Sequence, residues 1–250
     1  MRESQRAEIR ALPLFRDMRA ESFDRLLQVG YVQSFPPQLD LFEQGEAADF
    51  LHILIEGMVE LYASWQARET TMTIVRPVGT FILAACIRDA PYLMSARTLE
   101  KSRLVMVPAP DLRAVFRSDP AFAMSTIDEL AQCYRAVVRH SKTLKLRTAR
   151  ERLAAYVLRQ SERDGGAASF VLPVEKRMLA SYLGMTAENL SRAFKTLLDD
   201  GVKVDGNRII ITDRAALVAR AAPDPLIDGP DASESGVVPL RRAATGRPES

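Results

Sequence analysis

Between Glu175 and Asp200 the chain reads EKRMLASYLGMTAENLSRAFKTLLDD, and four polar side chains there could do the chemistry of base recognition. Glu188, Ser191, Arg192 and Lys195 recur at i, i+3, i+4 and i+7, the spacing that puts residues on one helix face. An arginine can hold a guanine edge with two hydrogen bonds. A glutamate can accept from a cytosine amino group, and a serine can serve either base. Leu190, Phe194, Leu197 and Leu198 fall on the opposite side and suit packing. Such a helix fits a DNA major groove. An ordinary amphipathic helix with a solvated charged face has the same periodicity, so the neighbouring elements must decide.

Those neighbours read as positioning elements. A first helix is expected near Glu175 to Leu183, with Met178, Leu179 and Leu183 on one face. Gly184 tolerates the left-handed backbone that ends a helix, and Thr186 is a good N-cap for the next one. Two helices across a short glycine turn are a helix-turn-helix. Val202 to Thr212, VKVDGNRIIIT, alternates like a small hairpin with Asp205-Gly206 at its turn, and Phe170 to Pro173 starts a further strand of that wing. The whole is a winged helix-turn-helix, in which Arg177, Thr186 and Lys195 are assigned to DNA phosphates and positioning.

The run Glu188-Asn-Leu-Ser191-Arg192 resembles the E-x-x-S-R recognition helix of the Crp/Fnr family of bacterial transcription regulators, in its Fnr-like version. The resemblance covers roughly Leu14 to Leu217. It implies that Glu188, Ser191 and Arg192 read a TTGAT-type half-site, that the partners are double-stranded DNA, RNA polymerase and a second copy of the chain, and that the protein is not an enzyme.

Composition agrees with a soluble, cytoplasmic protein. The 250 residues are 47% hydrophobic and carry a formal net charge of +2, so nucleic-acid affinity has to come from a local patch. The two cysteines, Cys86 and Cys133, lack metal or disulfide spacing and point to a reducing compartment. The N-terminus has no signal-peptide core, and no apolar run reaches the roughly 18 residues that span a bilayer, so no membrane partner is expected.

The expected fold is α+β in four parts. Residues 1–117 hold short N-terminal helices and an antiparallel jelly roll, residues 118–147 a long helix, residues 148–222 the winged helix-turn-helix, and residues 223–250 a disordered tail rich in Pro, Asp, Gly, Ser and Arg. Short β-rich runs with turns between Val32 and Val107 carry the jelly-roll reading, and Ile53–Leu61 with Val78–Phe81 resembles a cyclic-nucleotide-binding domain. Asp119-Pro120 opens the long helix. Ile127, Leu130, Tyr134, Val137, Ser141 and Leu144 follow alternating steps of three and four, a coiled-coil seam best explained as a dimer interface, with Ser141 a polar break. The alternative is packing against its own domain. Arg139, Lys142, Lys145, Arg147, Arg150 and Arg152 read mainly as a solvated basic surface, and some of them could meet phosphates.

The resemblance also frames what the jelly roll senses. Members that bind cyclic AMP carry a Gly-Glu pair after G-x-F, then Arg-Ser-Ala. Here those positions hold Leu83-Ala84 and Met94-Ser95-Ala96, so the phosphate's cation and the ribose acceptor are both missing, and cyclic AMP is not expected. An N-terminal cysteine cluster is absent, which excludes an iron–sulfur centre of the Fnr type. Thr80 to Arg97 looks most like the nitric-oxide-responsive NnrR/Dnr branch, whose members are thought to hold heme b, and which implies control of nitrogen-oxide or anaerobic metabolism genes. Candidate effector-pocket residues are His52, Phe81, Leu83, Met94 and Ser95, with His52 the candidate heme ligand and a structural hydrogen-bonder as its alternative; His140 is read as solvent-facing. Three other readings remain: a FixK-like regulator set by its abundance or by cysteine oxidation, a cyclic-nucleotide module acting on a protein, and a jelly-roll oxygenase. The last needs two histidines and a carboxylate on one metal, and the two histidines present lie far apart.

Overall fold

The computed structural model describes residues 2–66 and 68–229. The chain forms two compact units, one ending at Cys133 and the other starting at Tyr134.

In the first unit, helices α1 (Glu3–Ala11), α2 (Pro13–Arg16) and α3 (Ala20–Val29) precede the strands β1 (Tyr31–Phe35), β2 (Asp40–Phe42), β3 (Phe50–Glu56), β4 (Val59–Trp65), β5 (Arg68–Val75) and β6 (Gly79–Phe81). Helix α4 (Leu83–Arg88), strands β7 (Ser95–Thr98) and β8 (Ser102–Pro108) and helix α5 (Ala109–Ser118) follow. The strands make two antiparallel sheets, in the orders β1-β8-β3-β6 and β2-β7-β4-β5. This is the expected jelly roll. Strand β3 is buried on both faces, so its hydrophobic run alternates less than a half-exposed strand would.

Helix α6 (Pro120–Leu146) begins in this unit. Its start is signalled locally, since Pro120 needs no backbone donor at the first helical position and the buried Asp119 carboxylate accepts from the Phe122 amide at 3.2 Å; the same carboxylate also accepts from the distant Arg19 amide at 2.9 Å. Phe122 is fully buried and stacks on Phe15 with ring centroids 6.2 Å apart. Further along, the seam divides. Ile127, Tyr134 and Val137 stand 51%, 71% and 67% exposed, an apolar stripe that the single chain leaves bare. Leu130 instead packs on the jelly-roll core.

The second unit contains the end of α6, helix α7 (Ala149–Arg163), strand β9 (Ser169–Val171), helices α8 (Lys176–Tyr182) and α9 (Ala187–Thr196), a 3-10 turn over 197–200, strands β10 (Val202–Asp205) and β11 (Arg208–Ile211), and helices α10 (Arg214–Ala221) and α11 (Pro225–Asp228). Strand β11 lies between β10 and β9, with Asp205 opposite Arg208 at the wing turn. Thr148 and Glu151 form a reciprocal cap at the start of α7. The basic residues around this point are not simply a solvated surface. Arg147 pairs with Asp228, Arg150 reaches Asp200 at 2.6 Å, and Arg152 donates to the carbonyls of Leu144, Arg147 and Gly184. Helix ends and buried carboxylates need donors, and the arginine forks supply them.

The expectation of disorder from residue 223 fails at its start, because α11 forms and its Asp228 is held by Arg147 and by Arg159 of α7. Residues 230–250 of the expected tail lie outside the described residues. No helix among the described residues is long and apolar enough to cross a membrane.

Gly201 has φ +72°, and a Cβ there would sit 2.4–2.7 Å from the Cβ and backbone of Asp213. Gly201→Ala should therefore lower the unfolding free energy by at least ~2 kcal/mol, read from a urea melt of the whole chain.

Candidate nucleic-acid interface and sensor core

Helix α9 is built with two unlike faces. Leu190, Ala193, Phe194 and Leu197 are buried, while Glu188, Ser191, Arg192 and Lys195 are exposed. Leu198 departs from the expected packing face: it lies in the 3-10 turn, where the tighter winding swings it out, and it is exposed. Thr186 caps the helix by accepting from the Asn189 amide at 3.2 Å. At the helix start Glu188 is held below the usual carboxyl range, first by its own backbone amide and then by the Thr186 hydroxyl. It is thus an ionised acceptor in the first turn, where the helix dipole favours negative charge.

Gly184 takes φ +63° in the turn between α8 and α9, and a Cβ there would come within 2.8 Å of Leu144. Leu144, assigned to the seam, therefore also rests on the turn. Leu179 and Leu183 are buried under it, and Met178 is half-buried. His140 is not solvent-facing as expected: its ring lies 5.1 Å from Tyr182, and burial, then Arg159 and Arg152, lower its pKa.

Between α9 and the wing runs an open groove of about 400 Å³, lined by Ser191 and Lys195, by Lys176 of α8 and by Lys203 of β10. Arg177 is exposed on α8. The sequence reading missed Lys176 and Lys203. The alternation of the hairpin put Lys203 on a strand, but only pairing of β10 to β11 beside α9 brings it to this groove. Three lysines along one groove favour a polyanion.

The effector candidates are mostly core. Phe81 and Leu83 are buried, Met94 packs against the core they belong to, and the Ser95 hydroxyl accepts from the Gln44 amide at 3.0 Å. His52 is 4% exposed, with Phe42 and Phe81 rings each 5.1 Å from its own, and Tyr92 stacks on Phe42 at 4.0 Å. Its Nδ1 has no hydrogen-bond partner. The nearest cation in sequence after Met94, Arg97, is already paired with Glu60 at 3.1 Å and Glu69 at 3.5 Å. Burial pushes the Cys86 thiol up to about 12, which keeps it protonated and a poor nucleophile.

Residues 32–119 match the cyclic nucleotide-binding domain and residues 151–220 the Crp-like helix-turn-helix domain, together more than half of the chain. A CRP-like cAMP-activated global transcriptional regulator of Mycobacterium tuberculosis is 25% identical over 193 residues, covering 75% of this chain and 86% of that one. The nitrogen fixation regulation protein FixK of Azorhizobium caulinodans is 27% identical over 192 residues, covering 73% and 76%. A solved regulatory protein from Silicibacter pomeroyi DSS-3 is 29% identical with a TM-score of 0.57, covering 89% of this chain and 100% of that one. Fold and site thus define a DNA-binding transcription regulator with a β-roll of the cyclic-nucleotide-binding type. The chain belongs to the Crp/Fnr family.

His52 titrates near pH 4 in the fold against 6.5 for a free imidazole, because burial penalises the cation, with the Phe50 backbone opposing weakly. Between those values the unfolded chain binds a proton that the folded chain refuses. The stabilisation is therefore full above pH 6.5 and lost as pH falls toward 4. Moving from pH 7 to pH 5 should cost about 2 kcal/mol through this group. In urea melts at the two pH values, His52→Leu should shrink the pH-dependent loss by about that amount.

Proposed function

We propose that the protein is a homodimeric transcription regulator that reads a palindrome with TTGAT-like half-sites through Glu188, Ser191 and Arg192. The observation that carries this reading is the exposure of all three on the face of α9 opposite its buried side chains, above a lysine-lined groove. Crp/Fnr regulators bind DNA and act as dimers. The bare stripe of Ile127, Tyr134 and Val137 is the surface that a second copy would cover, and RNA polymerase is the further partner the family suggests.

For the signal, a nitric-oxide or related redox or gas response controlling nitrogen-oxide or anaerobic genes rests on the resemblance of Thr80–Arg97 alone. Against heme b at His52 stands the burial of its ring, 4% exposed with the Phe42 and Phe81 rings each 5.1 Å away, so a macrocycle would have to displace core side chains to reach its nitrogens. The filled interior favours a second reading, a FixK-like regulator set by its own abundance. Cyclic AMP would meet no unpaired cation at Met94, Ser95 or Arg97. Visible absorption of anaerobically purified protein supplied with heme, before and after nitric oxide, separates the two: a Soret band that shifts supports gas sensing, and its absence supports the abundance reading.

Arg192→Ala should weaken binding to the preferred palindrome by about 1–3 kcal/mol and relax selectivity at one base pair in each half, measured by fluorescence anisotropy on a panel of single-base variants. Equal loss on every sequence would argue against base reading. Lys195→Ala should instead weaken binding to all sequences alike and flatten the salt slope by about one per head.

A further inference from the structure

Past residue 220, where the helix-turn-helix match ends, the chain turns at Ala222 and forms α11. Asp228 of that helix enters the joint at which α6 ends and α7 begins. Its Oδ1 accepts from Arg147 Nη1 and from Arg159 Nη1, each at 2.7 Å. Its Oδ2 accepts from Arg147 Nη2 at 2.5 Å and from the Asp224 amide at 3.0 Å. Arg147 is 9% exposed and also donates to the Ala222 carbonyl at 3.2 Å, while Arg139 of α6 reaches the Gly229 carbonyl at 3.4 Å. One carboxylate thus faces a cation from the joint and a cation from α7, and the segment's carbonyls take up the donors left over.

Arg147 is itself one of the two residues that link Leu146 to Ala149. A charge pair taken out of water adds little net stability compared with apolar packing, but its fork geometry excludes other arrangements. Without the carboxylate, Arg147 and Arg159 would lose the acceptor they share, leaving Glu151 and Asp224 as the nearby negative charges on Arg147. Helix α9 packs on α7, so the direction of α7 sets the direction of Glu188, Ser191 and Arg192.

We propose that residues 222–229 are a strap that fixes the angle between α6 and α7, with Asp228 a positioning residue for DNA reading that acts through Arg147 and Arg159. This rests on the palindrome reading above, because only a pair of heads converts a joint angle into a distance along DNA.

The test uses the full chain with Asp228→Asn and Asp228→Glu. Binding is measured by anisotropy on the preferred palindrome and on versions with one base pair added or removed between the halves. The wild type should prefer its own spacing by about tenfold, a difference of roughly 1.4 kcal/mol. Asp228→Asn should bring that preference to near unity, and Asp228→Glu, which keeps the charge, should recover part of it. An unchanged spacing preference in a folded Asp228→Asn overturns the strap. A uniform loss on all spacings also overturns it, since that is general destabilisation. If Asp228→Asn does not fold, Arg159→Gln, which leaves the Arg147 fork in place, is read by the same two criteria. A wild-type chain with no palindrome preference overturns the function reading instead.

Discussion

Burial of one side of α9 is the constraint on which the remaining architecture depends. Leu190, Ala193, Phe194 and Leu197 leave water together, and each large apolar side chain so buried contributes about 1.5–3 kcal/mol. A helix has fixed angular spacing, so this burial leaves Glu188, Ser191, Arg192 and Lys195 no choice but to face outward. The polar edge is presented as a consequence of packing rather than by a separate device. The cap at Thr186 and the left-handed Gly184 fix where that edge begins.

Around this helix the charged residues divide by role. Among the described residues Arg192 and Lys195 on the exposed face form no ion pair at contact distance, whereas Arg147, Arg150, Arg159 and Arg220 are committed to Asp228 and Asp200. Cations bound to internal carboxylates or carbonyls are lost to DNA but define the shape of the unit. The separation explains how a chain with a net charge of only +2 can carry a concentrated positive groove.

The jelly roll follows a different logic. Its candidate ligand-binding positions are filled by Phe42, Phe81, Leu83 and Tyr92, and its one buried imidazole is neutral and stacked. An interior packed in this way resists charged ligands, because apolar side chains cannot replace their hydration. The polar groups that do lie near, such as Ser95 and Arg97, already serve the protein's own backbone and carboxylates.

Local patterns in the sequence determined most of the reading head. The spacing of Glu188 to Lys195, the cap, the turn glycine and the hairpin all act over a few residues, and short-range geometry decides them. The same holds for the start of α6 at Asp119-Pro120 and for the jelly-roll strands. Tertiary structure decided what depends on distant partners. Leu130 shares the heptad step of Ile127, Tyr134 and Val137, yet it packs within its own chain, and periodicity cannot tell a covered face from a bare one. Composition suggested a disordered tail, but Asp228 meets Arg147 across 81 residues. Lys203 reaches the groove only after β10 and β11 pair, and His52 loses its charge only once rings from β2 and β6 enclose it. Each of these depends on long-range burial or charge pairing, and neither is encoded in the spacing of neighbouring residues.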